Sequence, residues 1–220
     1  MWVTLRRDEV KEKVGNDRSF LDGFDRFVKR MGQKVDVHFW WDELSLVLGR
    51  TDPELGRWFQ WLTESEMLPT WSLRNSNFRG LNLPGSYLRS LDLSLSDLSE
   101  VNLSLSDLCE VKMRFCKAPH ANLIHANVRG ASLPSIDLPG AVLRSAWFDL
   151  ADLSCANLRG ANVTTARFVG TNLQGANLEG VVGLHTALFD DSSELTFAYY
   201  PEGQIPPGWV RDDKGLLRRA

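Results

Sequence analysis

Residues 71–180 carry one five-residue pattern twenty-two times over without an insertion. A packed helix wants apolar spacings averaging about 3.6 and a pleated strand wants alternation at about 2, so a strict period of five suits neither. It suits a backbone that coils and returns to the same orientation at every fifth residue. With Ala156-Asn157-Leu158-Arg159-Gly160 as slots one to five, slot three is bulky and apolar in every unit except at Ala118. Slot one is small or apolar throughout, from Ser76, Leu81, Ser86 and Leu91 to a long alanine series beginning at Ala121. Fixed short repeats mark solenoids, in which each unit buries its apolar side chain by stacking on its neighbours. Slots one and three therefore face inward.

The remaining slots carry turn chemistry. Slot two is rich in Asn and Asp, among them Asn77, Asn82, Asp92, Asp97, Asn102, Asn157 and Asn177, which form local side-chain hydrogen bonds in turns. Slot five holds Gly80, Gly85, Gly130, Gly140, Gly160, Gly170, Gly175 and Gly180, where the chain can bend at little steric cost. Pro84, Pro119, Pro134 and Pro139 all fall in slot four, and a proline there pre-sets the dihedral for a corner.

These residues resemble the pentapeptide repeat family, whose pattern is Ala-Asp/Asn-Leu-X-X. The resemblance implies a mainly β fold, a right-handed quadrilateral β-helix with four pentapeptides per coil. About 5.5 coils at the usual inter-strand spacing would give a rod roughly 26 Å long. Residues 71–188 are assigned to this solenoid and residues 189–220 to a C-terminal cap or tail.

Residues 1–70 have another periodicity and predict a small all-α N-terminal domain. Phe20, Leu21, Phe24, Phe27, Val28 and Met31 recur at helical spacing behind Asn16 or Asp17 as a cap. A second helix is expected after Asp36, with Val37, Trp40, Trp41, Leu44, Val47 and Leu48 on one face and Gly49 at its end. A third opens at Thr51-Asp52-Pro53-Glu54, a capping box with proline at the first helical position. The run from Trp41 to Leu62 resembles a helix-turn-helix, but its second helix would present Asp52 and Glu54 beside Arg57, the wrong sign for phosphate. Trp40, Trp41, Trp58 and Trp61 read as core or as a partner surface.

Charge and composition narrow the function. No apolar run approaches the roughly 20 residues of a membrane span, and the opening residues lack the apolar core of a signal peptide, so a cytoplasmic protein is expected. Cys109, Cys116 and Cys155 lie in slots four, one and five, pointing different ways, and are expected to be reduced thiols. His120 and His125 fall at adjacent corners with no third ligand, and no serine has a histidine and carboxylate in matching register. The glycines recur every five residues to bend a solenoid and are no phosphate loop. No catalytic residue, metal or cofactor is expected, and the chain reads as a non-enzyme.

Function must then lie on the outer surface. Leu95, Leu105 and Phe115 occupy slot five, where other units carry Gly, Ser or Glu, with Leu95 and Phe115 one coil apart. They are expected either to be covered by the N-terminal helices or to meet a protein partner. Asp97, Glu100, Asp107 and Glu110 form an acidic girdle in one coil. Phe197, Tyr199 and Tyr200 in the tail are expected to cap the open coil, or to make a homodimer contact as the C-terminal end does in some pentapeptide repeat proteins. The preferred reading is a bacterial, non-catalytic protein-binding scaffold. The resemblance also implies an alternative, since some members imitate duplex DNA, bind DNA gyrase or topoisomerase IV and confer antibiotic resistance. Such mimicry calls for an acidic rod, yet residues 71–180 hold 9 acidic against 10 basic residues, arranged as a ladder of alternating sign. A DNA-binding regulator acting through the helix-turn-helix resemblance is a second alternative.

Overall fold

The five slots divide the backbone hydrogen bonds among themselves, and that division makes the coil. In a representative unit the slot-two N–H of Asp97 donates back to Ser76 C=O (3.0 Å) and the slot-three N–H of Phe78 donates forward to Asp97 C=O (2.7 Å). The slot-five N–H of Gly80 donates to Ser99 C=O (2.8 Å), and the slot-one N–H of Leu81 closes the turn on Phe78 C=O (3.0 Å). One donor per unit, the slot-four N–H, has no backbone partner. In many units the slot-two Asn or Asp takes it: Asn77, Asp92, Asn122, Asn162 and Asn177 accept from Arg79, Ser94, Ile124, Thr164 and Glu179 at 3.0–3.1 Å. An unpaired donor is costly, so this acceptor role accounts for the recurrence of Asn and Asp in slot two. Where slot two holds Lys117 or Ser132 instead, slot four is Pro119 or Pro134, which has no N–H to satisfy.

The protein's computed structural model describes residues 2–6, 11–12, 36–40 and 73–220, apart from 202, 204 and 207. Within the repeats, each slot-two residue bridges in parallel to the residue twenty positions on, from Asn77↔Asp97 to Asn162↔Val182. Each coil therefore contains four units and the chain forms a β-helix. The interior is a stack of slot-one and slot-three side chains, with Phe78, Leu83, Phe148, Leu158 and Phe168 at most 1 % exposed. Phe148, Phe168 and Phe189 stack with ring centroids 5.3 Å apart at each step.

The ladder reaches the expected boundary at Arg167↔Leu188 and continues beyond it as Asn172↔Glu194 and Asn177↔Tyr199. It does so by admitting extra residues. A short 3-10 helix, Leu184–Thr186, follows Gly183. At Gly183, φ is +82° and an added Cβ would lie 2.7 Å from the Thr164 backbone, so only glycine fits. The strands Trp209–Arg211 (β3) and Leu217–Arg219 (β4) form an antiparallel pair that closes the end. Leu217 N–H donates to Ala198 C=O (2.9 Å), and Phe197 N–H donates to Leu217 C=O (3.0 Å).

The N-terminal expectation is corrected in part. Trp2–Arg6 (β1) pairs antiparallel with Asp36–Trp40 (β2), so the segment after Asp36 begins as a strand and the region is not all-α. The register sets Val3 opposite Phe39 and Leu5 opposite Val37, an alternation of period two in β-branched and aromatic residues that suits a strand. The helices expected over 16–31, 41–48 and 51–62, and Trp41, Trp58 and Trp61, lie outside the described residues. No described helix is long and apolar enough to cross a membrane.

Candidate functional site

Every slot-five residue from Asn75 to Gly180 has a positive φ, and many are not glycine. Left-handed backbone crowds any Cβ, and bulky side chains rarely adopt it. Leu95 (φ 68°), Leu105 (φ 61°), Phe115 (φ 57°) and Leu150 (φ 61°) nevertheless do. Their side chains add nothing to the core, since they are 50 %, 66 %, 60 % and 68 % exposed.

The structure brings Leu95 and Phe115 together on one corner. Leu95 N–H donates to Arg114 C=O (2.9 Å) and Phe115 N–H to Pro134 C=O (3.2 Å), which sets the two side chains one coil apart. They border a concavity of about 480 Å³ whose other walls are Arg74, Asp92, Ser94, Lys112 and Arg114. Asp92 and Lys112 are successive rungs of one ladder. Burial pushes the Asp92 carboxyl up, but hydrogen bonds from Ser94 and the nearby Arg74 and Lys112 more than offset it and hold the group below its usual range. Arg74 Nε lies 3.8 Å from Asp92, while Arg114 Nε donates to Ser132 Oγ at 3.1 Å.

Leu105 is not part of this corner. It follows Asn102, two units along from Asp92, and so sits on the opposite corner of the coil. Leu150 escaped the sequence reading although its slot-five position carries the same signal. Trp147, 48 % exposed in slot two beneath the Arg167 guanidinium (5.9 Å to the ring centroid), escaped it as well.

The acidic girdle does not form one surface. Asp97 and Glu100 belong to the unit two away from Asp107 and Glu110, on the opposite side of the coil. Arg79 pairs with Glu100 at 2.9 Å and Arg89 with Glu110 at 3.4 Å, each from the preceding coil. Asp97 accepts from the Ser99 N–H and hydroxyl, and Asp107 from the Cys109 N–H. A more buried rung lies further on, where Arg167 donates twice to Asp149 Oδ2 (2.9 and 3.2 Å) with the carboxylate side chain only 7 % exposed.

At the C-terminal end Tyr200 is 3 % exposed, with the Arg211 guanidinium 5.4 Å over its ring, so it belongs to the cap and is no free contact residue. Phe197 (62 %) and Tyr199 (37 %) remain at the surface. Among the described residues no group of His, Cys, Asp and Glu could hold a metal ion. Cys109, Cys116 and Cys155 are unpaired thiols, and burial raises the Cys116 thiol to about 12.

The profile of the pentapeptide repeats matches residues 72–104, 121–154 and 151–182, in 8 copies. No curated protein sequence matches the chain. Among solved structures, a trypsin-treated form of QnrB1, a plasmid-mediated fluoroquinolone resistance protein, is 13 % identical over 56 % of this chain and 73 % of its own, with a TM-score of 0.48. The pentapeptide repeat protein Rfr23 from the cyanobacterium Cyanothece is 28 % identical over 54 % of this chain and 86 % of its own (TM-score 0.27). HetL, a pentapeptide repeat protein involved in heterocyst differentiation regulation in the cyanobacterium Nostoc, is 23 % identical over 59 % of this chain and 66 % of its own (TM-score 0.28).

Proposed function

Its coil being that of the pentapeptide repeat family, we propose that this chain is a non-catalytic, cytoplasmic scaffold that binds a protein partner through the outer surface of a rigid, right-handed, four-sided β-helix. The observation that carries this reading is the pair Leu95 and Phe115, bulky side chains in left-handed corners and half or more exposed. Glycine occupies many equivalent corners, so the apolar choice opposes local stability and calls for a use outside the rod. Imitation of duplex DNA is less well supported. The carboxylates of the girdle are divided between opposite sides, and its two glutamates are each matched by an arginine from the neighbouring coil.

The test is co-purification from the source cell with the full chain and with a Leu95→Ser/Phe115→Ser double variant of unchanged circular dichroism. A partner retained by the first and lost by the second is expected. Equal recovery on both removes this corner from the binding surface. A supercoiling assay with DNA gyrase, run with and without a quinolone, is expected to show no effect; inhibition or drug protection at micromolar protein would restore the mimic reading.

A further inference from the structure

Resting on that reading, we propose that the corner concavity recognises an acidic segment of a protein partner, one that seats an apolar side chain between Leu95 and Phe115 and lays carboxylates against Arg74, Lys112 and Arg114. Three cations and one carboxylate line the concavity, so it carries a surplus of two positive charges. That surplus is local, because residues 71–180 as a whole are near neutral, with 9 acidic against 10 basic residues. Asp92 is already occupied, accepting from the Ser94 N–H at 3.0 Å with Arg74 near by. Arg114 spends its Nε on Ser132 and has no acid partner among the described residues' ion pairs.

The shape agrees with the charge. A concavity of about 480 Å³ falls within the usual range of about 300–1,000 Å³ for small binding clefts, and can hold one large side chain with the turn that carries it. Its apolar and cationic walls lie side by side, the arrangement of a hydrophobic anchor ringed by polar contacts. Fixed corners also mean that little order is lost on binding, because the left-handed backbone at Leu95 and Phe115 is already tied into the ladder. A nucleic acid strand would meet only these few cations and would find Asp92 among them, a poor match for a continuous phosphate backbone.

The experiment is fluorescence anisotropy of the full chain with a fluorescein-labelled peptide carrying a central Leu-Phe pair flanked by glutamates. Saturable binding that weakens with salt is expected, with no binding of peptides in which lysines replace the glutamates or serines replace the Leu-Phe pair. Phe115→Gly should weaken binding by about tenfold or more. Glycine suits the left-handed corner, so that loss cannot be blamed on unfolding. Lys112→Gln/Arg114→Gln should weaken it by about three- to tenfold and flatten the salt dependence.

Absence of binding by the full chain overturns the proposal. The sequence just ahead of the repeats carries two glutamates, Glu64 and Glu66; if binding then appears in Glu64→Lys/Glu66→Lys, the occupant is that segment of the chain rather than a partner. Tighter binding of a labelled single-stranded oligonucleotide also overturns it. Suppose instead that the co-purified partner is lost with Leu95→Ser/Phe115→Ser but kept by Lys112→Gln/Arg114→Gln. The scaffold reading would then survive while the acidic chemistry fails.

Discussion

Serine inside this core behaves in two ways. Ser106 Oγ accepts from the Ser86 N–H (3.0 Å) and donates to Leu83 C=O (3.0 Å), inserting itself into a turn that elsewhere closes directly. Ser86, in the same column one coil earlier and equally buried, has an Oγ with no hydrogen-bond partner among the described residues. Removing a hydroxyl that satisfies two buried groups costs about 1–3 kcal/mol, whereas removing an unsatisfied one is near neutral or helpful. Ser106→Ala should therefore lower stability in a urea melt by about 1–2 kcal/mol and Ser86→Ala should leave it unchanged or raised. Equal losses would mean that the bridge is not what matters. The cysteines separate on the same grounds. Cys155 lies exposed at a corner, while Cys109 and Cys116 are buried and burial raises both thiols. A thiolate-directed reagent at neutral pH should label one thiol in the native protein and three after unfolding.

At the scale of the element, the unit is legible in the sequence wherever the same demand recurs. Slot two supplies an acceptor for the slot-four N–H in many units, so Asn or Asp recurs there, and at 119 and 134 proline removes the donor where slot two is Lys or Ser. The candidate corner at Leu95 and Phe115 was legible for the same reason, as a break in the slot-five pattern. What depends on distant pairing was not legible. The segment after Asp36 becomes a strand because Trp2–Arg6 lies alongside it, and Tyr200 is buried because the turn at Gly215 and the strand behind it fold back over the last coil. Local periodicity carries neither fact. The insertion at Asp190 is held by its own chemistry: hydrogen bonds from Ser192, the Gly170 N–H and Ser193 hold the carboxyl at about 2. An unfolded aspartate titrates near about 3.9, so the folded state favours the ionised form. The contribution is fully present above about pH 4 and is lost as pH falls toward 2. Amide exchange at Gly170 and Ser192 should accelerate across that window in the natural chain and not in Asp190→Asn.

For the whole molecule, a solenoid is held by contacts between neighbouring coils, so damage at one end should spread inward by steps and leave the far end unaffected. The C-terminal hairpin tests this. Leu217, 1 % exposed, and Trp209, 6 % exposed, cover the last coil, and Leu217 ties its backbone to Ala198 and Phe197. An uncovered coil presents unpaired N–H and C=O groups and the apolar Leu195 and Ala198, a template for joining another chain. Leu217→Ala removes buried methyl groups at a cost of about 2–5 kcal/mol, enough to release the hairpin without dissolving the rod. Hydrogen exchange should then quicken over residues 188–200 while residues 120–160 keep their protection, and light scattering should reveal concentration-dependent association. Binding of the acidic Leu-Phe peptide at Leu95 and Phe115 should be unchanged, because several complete coils separate that corner from the damaged end. If exchange instead quickened uniformly from residue 73 onward, the coil would be unfolding as one cooperative body. A corner near one end could then not be assigned a binding role independent of the cap at the other.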